Sequence, residues 1–279
     1  MQRHAYLSLS IGLFVGGAVL ISKKLSSGNR ASSVDTSPSR TALSEIRARA
    51  ATVYGHLPLH FEANQGQTDP RVTFLARGSG HTLFLTETEA VLVLTQAGRA
   101  AKGELEQRVG ATQLALRMRL VGANPRARVT GLNELPGKAN YFVGRDPAQW
   151  HCNVPLYATV HYRDVYPGID LSYSGDQRQL LSAFVVRPGG DANRIVLDWQ
   201  GADSVVVDAE GDLVLHTAVG LVRQAKPAVY QELDAARRDI AGRYVRKGVR
   251  QLGFEVTAYD ASRPLVIEGN TLFSIRATR

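Results

Sequence analysis

Residues Asn140–Tyr173 read NYFVGRDPAQWHCNVPLYATVHYRDVYPGIDLSY, and this stretch decides the fold class. It gathers Tyr141, Phe142, Trp150, Tyr157, Tyr162, Tyr166 and Tyr173, with Pro147, Pro155 and Pro167 spaced between them. Aromatic and β-branched residues favour pleated, half-buried surfaces, and proline marks the turns between strands. The stretch predicts short strands joined by rigid turns, with the rings packed between layers.

The same signals extend in both directions. Toward the N-terminus, Val72–Ala76, Thr82–Thr86 and Ala90–Thr95 read as a meander, and Gln113–Val121 alternates strictly. Leu114, Leu116, Met118 and Leu120 share one face of that last segment, while Arg117 and Arg119 share the other, as in a half-buried antiparallel strand. Arg128–Leu132 is expected to pair with it. Ala97–Gly110 reads as an exposed loop. Toward the C-terminus, Ile169–Tyr173 and Leu180–Arg187 predict a hairpin, and Ile195–Trp199 a further strand. Ser204–Val207 and Leu213–His216 flank an acidic turn, with Ala228–Glu232, Arg243–Arg246, Gly253–Ala258 and Leu265–Ile267 beyond. Strands about ten residues apart predict an all-β, antiparallel, β-sandwich-like architecture. The β region is placed at 57–268, with 57–165 and 166–268 as candidate packed subdomains and 269–279 as a tail.

The N-terminal part differs in character. Leu7–Ile21 is apolar apart from Ser and Gly, the length of a signal-peptide core and short of the roughly 20 residues of a spanning helix. Residues 1–25 are therefore expected to be a signal peptide or an N-terminal hydrophobic anchor helix. That places the protein outside the cytoplasm, secreted or attached to the membrane through this segment. Residues 26–56 read as a Ser-rich linker containing a short helix over Ala42–Tyr54, where Leu43, Ile46, Ala50 and Val53 fall near helical spacing.

Charge and motifs narrow the function. The 279 residues carry a formal net charge of +8, but Arg and Lys are scattered, which argues against a nucleic-acid interface. The single cysteine, Cys152, rules out an intramolecular disulfide and reads as a small buried residue. His60 and Glu62 would share a strand face but lack a third metal ligand. Asp208, Glu210 and Asp212 surround Gly211 without the rest of a calcium loop. No phosphate-binding loop, GxSxG elbow or HExxH motif is present, and no cofactor or metal is expected. Asp164 and Asp170, on either side of Tyr166-Pro167-Gly168, are the carboxylate pair an enzyme acting on polysaccharide would use. The other reading is a non-enzymatic module whose Tyr141, Trp150, Tyr157, Tyr162 and Tyr166 meet a glycan or a surface protein.

Several strings carry a family resemblance. They include Phe61-Glu62-Ala63-Asn64-Gln65-Gly66-Gln67, Leu135-Pro136-Gly137-Lys138, Asn140-Tyr141-Phe142, Val165 to Leu171, and Val229-Tyr230-Gln231. With these, Leu57–Ile267 resembles the β-rich module that precedes SBBP-type β-propeller repeats in bacterial secreted and cell-surface proteins. The resemblance implies an exported surface module and carries over no catalytic residue. The chain departs from that pattern at Leu181-Ser182-Ala183, where the family has Glu-Tyr-Asp, and at Cys152, where Thr is common. Glu268–Arg279 is too short for one propeller blade of about 40 residues, so the chain is expected to be the leading module alone.

Overall fold

The computed structural model describes residues 58–78, 80–96, 112–176, 179–233 and 236–272. The expected leader and linker, including the short helix, lie outside the described residues, as does the whole of the expected 97–110 loop. Alternating apolar positions set up an antiparallel meander: β1 (Phe61–Ala63), β2 (Phe74–Gly78), β3 (His81–Leu85), β4 (Glu89–Gln96) and β5 (Thr112–Leu120). Then come two hairpins, β6 (Arg128–Tyr141) with β7 (His151–Tyr166), and β8 (Ile169–Gly175) with β9 (Gln179–Val186). Short strands follow: β10 (Leu197–Gln200), β11 (Ser204–Val207), β12 (Leu213–Thr217), β13 (Gly220–Gln224) and β14 (Ala228–Leu233). The last are β15 (Ala236–Ile240), β16 (Gly242–Arg246), β17 (Gln251–Val256) and β18 (Leu265–Leu272). The only helical pieces among the described residues are 3-10 turns at Pro147–Gln149 and Ala192–Arg194.

All eighteen strands belong to one hydrogen-bonded network, which curls into a nearly closed, barrel-like sheet. Its wall runs β16–β17–β10–β5–β4–β3–β2–β1–β7–β8–β9–β18. β18 then pairs with β14 and β13, and β13 leads on to β12 and β11. At the remaining seam, side chains bridge in place of a ladder. The Tyr244 hydroxyl donates to the Ala225 carbonyl at 3.1 Å, and Arg246 Nη2 to the Val205 carbonyl at 2.7 Å. Gly242 allows the close approach there, since a Cβ on it would lie 2.4 Å from Val229 Cγ2.

This arrangement differs from the expected stacked sheets. Hydrogen bonds cross the 165/166 boundary, with β5 pairing β10. β6 pairs with β7 and not with the Gln113–Val121 strand, because its partner is the next strand in the chain across a short loop. β18 continues to Leu272, into the expected tail.

The interior is one apolar cluster. It takes Leu83, Leu85, Leu92, Leu94, Leu116, Met118 and Leu120 from the meander, and Phe184, Leu197, Phe254, Leu265 and Ile267 from later strands. Burying each such side chain contributes about 1.5–3 kcal/mol. A smaller cluster, Val72, Leu75, Phe84 and Val91, lies on the other face of β2–β4. Alternation explains both, because successive side chains of a strand point to opposite faces.

Candidate interaction site

The aromatic stretch splits between two environments. Tyr162, Tyr166 and Tyr173 are buried in the barrel at 1%, 2% and 1% exposure. Tyr162 donates to the Thr86 carbonyl at 2.7 Å and Tyr166 to the Val196 carbonyl at 3.3 Å. Burial pushes the Tyr166 hydroxyl up to about 12 and that of Tyr162 well above its ordinary value. Both rings, read from the sequence as ligand contacts, are core residues with no free face. Tyr157 is half-buried, edge-on to Phe74 with centroids 5.9 Å apart.

Tyr141 and Trp150 lie elsewhere. Beyond Leu132 the β6–β7 hairpin leaves the wall as a two-stranded arm, and no residue from Leu132 to Asn153 is buried. The cause is a change of neighbours along β7. Its second edge pairs with β8 from Tyr166 back to Val160, then with β1 only at Tyr157 and Leu156. Residues nearer the tip have no ladder on that side. The tip, 142–150, holds a 3-10 turn whose first residue follows Asp146, and the Asp146 carboxylate accepts from Ala148 N at 3.0 Å. On it Phe142 and Trp150 form an edge-to-face pair, centroids 5.1 Å apart and planes at 81°. Phe142 is 63% exposed, Val143 51% and Trp150 36%. Cys152, expected to be buried, is exposed because it sits on this arm.

A polar clasp ties the arm to the wall at Tyr141, the last residue of β6 before the tip. Glu62, 4% exposed, takes Arg77 Nη1 on one carboxylate oxygen at 2.7 Å and the Tyr141 hydroxyl on the other. Arg77 also donates to the Tyr141 hydroxyl, and its guanidinium carbon lies 5.3 Å from the ring centroid. Burial pushes the Tyr141 hydroxyl up to about 12, the hydrogen bond to anionic Glu62 adds to this, and Arg77 opposes it. Burial also works against the charge on Arg77, but Glu62 and Tyr141 outweigh it and hold that guanidinium above its ordinary value. Glu62 thus spends both oxygens here and not on a metal shared with His60. Among the described residues no three His, Cys, Asp or Glu side chains converge.

The string around Glu62 turns its polar groups inward on the chain. Asn64 Nδ2 donates to the Asp69 and Val72 carbonyls at 2.9 and 2.8 Å, and its Oδ1 accepts from Gly66 N and Thr68 N. Gln67 accepts from Gln65 N and donates to the Ala63 carbonyl. Gly66 has φ +111° and carries His151 of the arm where a Cβ would be, 2.8 Å from the imidazole Cε1. Gln231, in another of the quoted strings, is fully buried and holds the 260–264 turn through Asp260, Arg263 and Pro264 carbonyls.

The carboxylate candidates fall on a bulge. Asp164 has φ +54° where the β7–β8 register slips between Tyr162 and Tyr166. Its amide donates to Asp170 Oδ1 at 2.8 Å, its carbonyl accepts from Asn124 Nδ2, and its carboxylate pairs with Arg187. Arg187 also lies 3.8 Å from Asp170. One guanidinium therefore faces both acids, and Asp170 is engaged with backbone. Such an arrangement holds a bulge in place. The acidic turn is filled in the same way: Arg223 Nη1 bridges Asp208 at 2.5 Å and Asp212 at 2.9 Å. Burial raises Asp208, but hydrogen bonds from Asp212 N and Arg223 outweigh it and hold the carboxyl below its ordinary range. Arg187 and Arg223 could not be assigned from spacing, since each reaches its acids only through tertiary folding.

A curled antiparallel wall carrying a clasped, aromatic-tipped arm defines an all-β, barrel-like module. The chain belongs to the family described as a domain of unknown function (DUF7948), which matches residues 61–268. No curated protein and no solved structure matches it.

Proposed function

We propose that this is an exported, non-enzymatic β module that works by surface contact through the tip of the β6–β7 arm. The observation that carries the reading is the exposed Phe142–Trp150 pair on a hairpin with no buried residue from Leu132 to Asn153. Two large exposed rings offer an apolar contact that a folded domain otherwise hides. The favoured partner is a glycan of the envelope or the extracellular matrix, with a surface protein as the other. Two further points support the reading. The polar groups of the Asn64 and Gln231 strings are spent on the protein's own backbone, and the two best-placed acids share one arginine. The apolar Leu7–Ile21 segment supports export or anchoring, and the resemblance to modules preceding SBBP repeats supports a role beside a repeat domain.

The test is binding of the full chain to a polysaccharide array, alone and with Phe142→Ala plus Trp150→Ala. Loss of the central rings should weaken binding at least about tenfold. Equal binding by the variant removes the arm from the contact, and cleavage of any glycan that depends on Asp164 or Asp170 replaces the reading with an enzyme. Cell fractionation of the full chain checks the location.

A further inference from the structure

Polar side chains interrupt the apolar interior of the barrel at one place. Trp199 follows Leu197 on β10, Gln224 follows Val222 on β13, Ser182 lies between Leu180 and Phe184 on β9, and Thr271 follows Ile267 on β18, all at even spacing. Even spacing puts each on the same face as its core neighbours. They are 6%, 2%, 7% and 7% exposed. Together they line a cavity of about 30 Å³, whose wall also includes Leu83, Leu92, Leu116 and Leu180. Ser182 spends its hydroxyl on the Gly269 carbonyl at 3.4 Å. The Gln224 amide is seated over Gly269, where a Cβ would lie 2.2 Å from Nε2. The indole Nε1 of Trp199 and the Oε1 of Gln224 are buried and meet no partner among the described residues. Folded proteins satisfy nearly every such group, and a donor and an acceptor left over at one cavity point to a bound molecule that completes them.

We propose that this cavity binds a small hydroxylic ligand, whose oxygen accepts from Trp199 Nε1 and whose proton is donated to Gln224 Oε1. An unpaired N–H needs an acceptor and an unpaired carbonyl needs a donor, and a hydroxyl is the smallest group that is both. Size agrees. A water needs about 10–15 Å³ of cavity, so this one takes about two water-sized groups and excludes a metabolite that fills roughly 300–1,000 Å³. Charge agrees as well. No Asp, Glu, Lys, Arg or His is among the described lining residues, and a charged ligand would be stranded against leucines. Water and a short alcohol share the required chemistry. The ligand would join β10 to β13, strands with different neighbours: β10 pairs with β5 and β17, and β13 with β12 and β18. It would stitch two branches of the sheet together from inside, as Tyr244 and Arg246 do at the seam.

Trp150 and Trp199 are the two tryptophans of the chain, so Trp150→Phe leaves Trp199 as the reporter. In that full-length background the Trp199 indole proton should show a rotating-frame NOE peak at the water frequency. Its sign should be opposite to the diagonal, which separates a bound hydroxyl from proton exchange. The peak should be lost in Gln224→Met, which keeps the side-chain length and removes the acceptor. Methanol then tells the sources apart. Replacement of the water peak by a methyl peak, saturating with methanol, identifies a site that takes alcohols, and a water peak that persists identifies water as the ligand. Either result bears out the proposal. Absence of any such peak at the Trp199 indole overturns it, as does a peak unchanged in folded Gln224→Met. So does a peak that vanishes in Ser182→Ala with Thr271→Val, since it would come from the protein's own hydroxyls. If Gln224→Met does not fold, the Trp150→Phe spectrum and the double variant decide.

Discussion

The barrel wall and the arm use one vocabulary for opposite ends. Both are antiparallel, both alternate, and both are rich in aromatic and β-branched residues. In β8–β9 one face of each strand meets the opposite wall, and Leu171, Tyr173, Phe184 and Val186 disappear into the core. In the outer half of β6–β7 only Tyr141 and His151 touch the wall, and Phe142, Val143 and Trp150 stay in solvent. Alternation thus establishes that a strand exists, whereas burial depends on what another part of the chain lays across it.

The contrast can be broken most sharply from the core side. Phe184→Ala should cost about 3–5 kcal/mol, read as a lower denaturant midpoint at unchanged slope, because a buried ring leaves a cavity. A cost below about 1 kcal/mol would mean that the interior is loosely packed.

Alkaline pH should act on the same side. Burial raises Tyr166 to about 12 and Tyr162 well above the ordinary tyrosine value near 10. A folded-state pKa above the unfolded one gives stability that is complete below pH 10 and is lost as pH rises toward 12. For Tyr166 alone that loss is on the order of 2–3 kcal/mol. Absorbance near 295 nm should show late tyrosine ionisation coinciding with loss of the β circular-dichroism signal. Early, separate ionisation of every tyrosine would contradict the burial of these rings.

At the junction, Glu62→Ala should cost about 1–2 kcal/mol by removing the acceptor for Arg77 and Tyr141. It should speed amide exchange around Ala139–Tyr141 more than in β8–β9. Uniform acceleration would mean that the clasp belongs to the barrel and not to the arm. The smallest effect is expected at the tip, where Phe142→Ala with Trp150→Ala should change stability by no more than about 0.5 kcal/mol. A larger loss on thermal or denaturant melting would show that the pair packs against the body.

Much of the wall was legible in the chain. The strict alternation of Leu114 to Leu120, the β8–β9 hairpin and the acidic turn before Leu213 are local patterns, and the structure carries all three. Curling one sheet upon itself was not legible, since β5 meets β10 across more than seventy intervening residues. The fate of the aromatic stretch was hidden for a related reason. Tyr141 and Tyr162 look alike in sequence, and only the change of neighbour along β7 separates an exposed arm from a buried wall. Asp164 and Asp170 were visible as a pair flanking a turn, while the guanidinium that occupies them comes from Arg187, on the far side of β9.

That handover on β7, from β8 to β1, has a developmental consequence for the family. Past Leu156 the hairpin is no longer a course of masonry that other courses rest on. Adding or deleting paired residues there would keep the wall's ladders in register but carry Tyr141 away from Glu62 and Arg77. Reach is thus pinned by one side-chain cluster, and a longer or shorter hairpin would have to rebuild that cluster on the body as well.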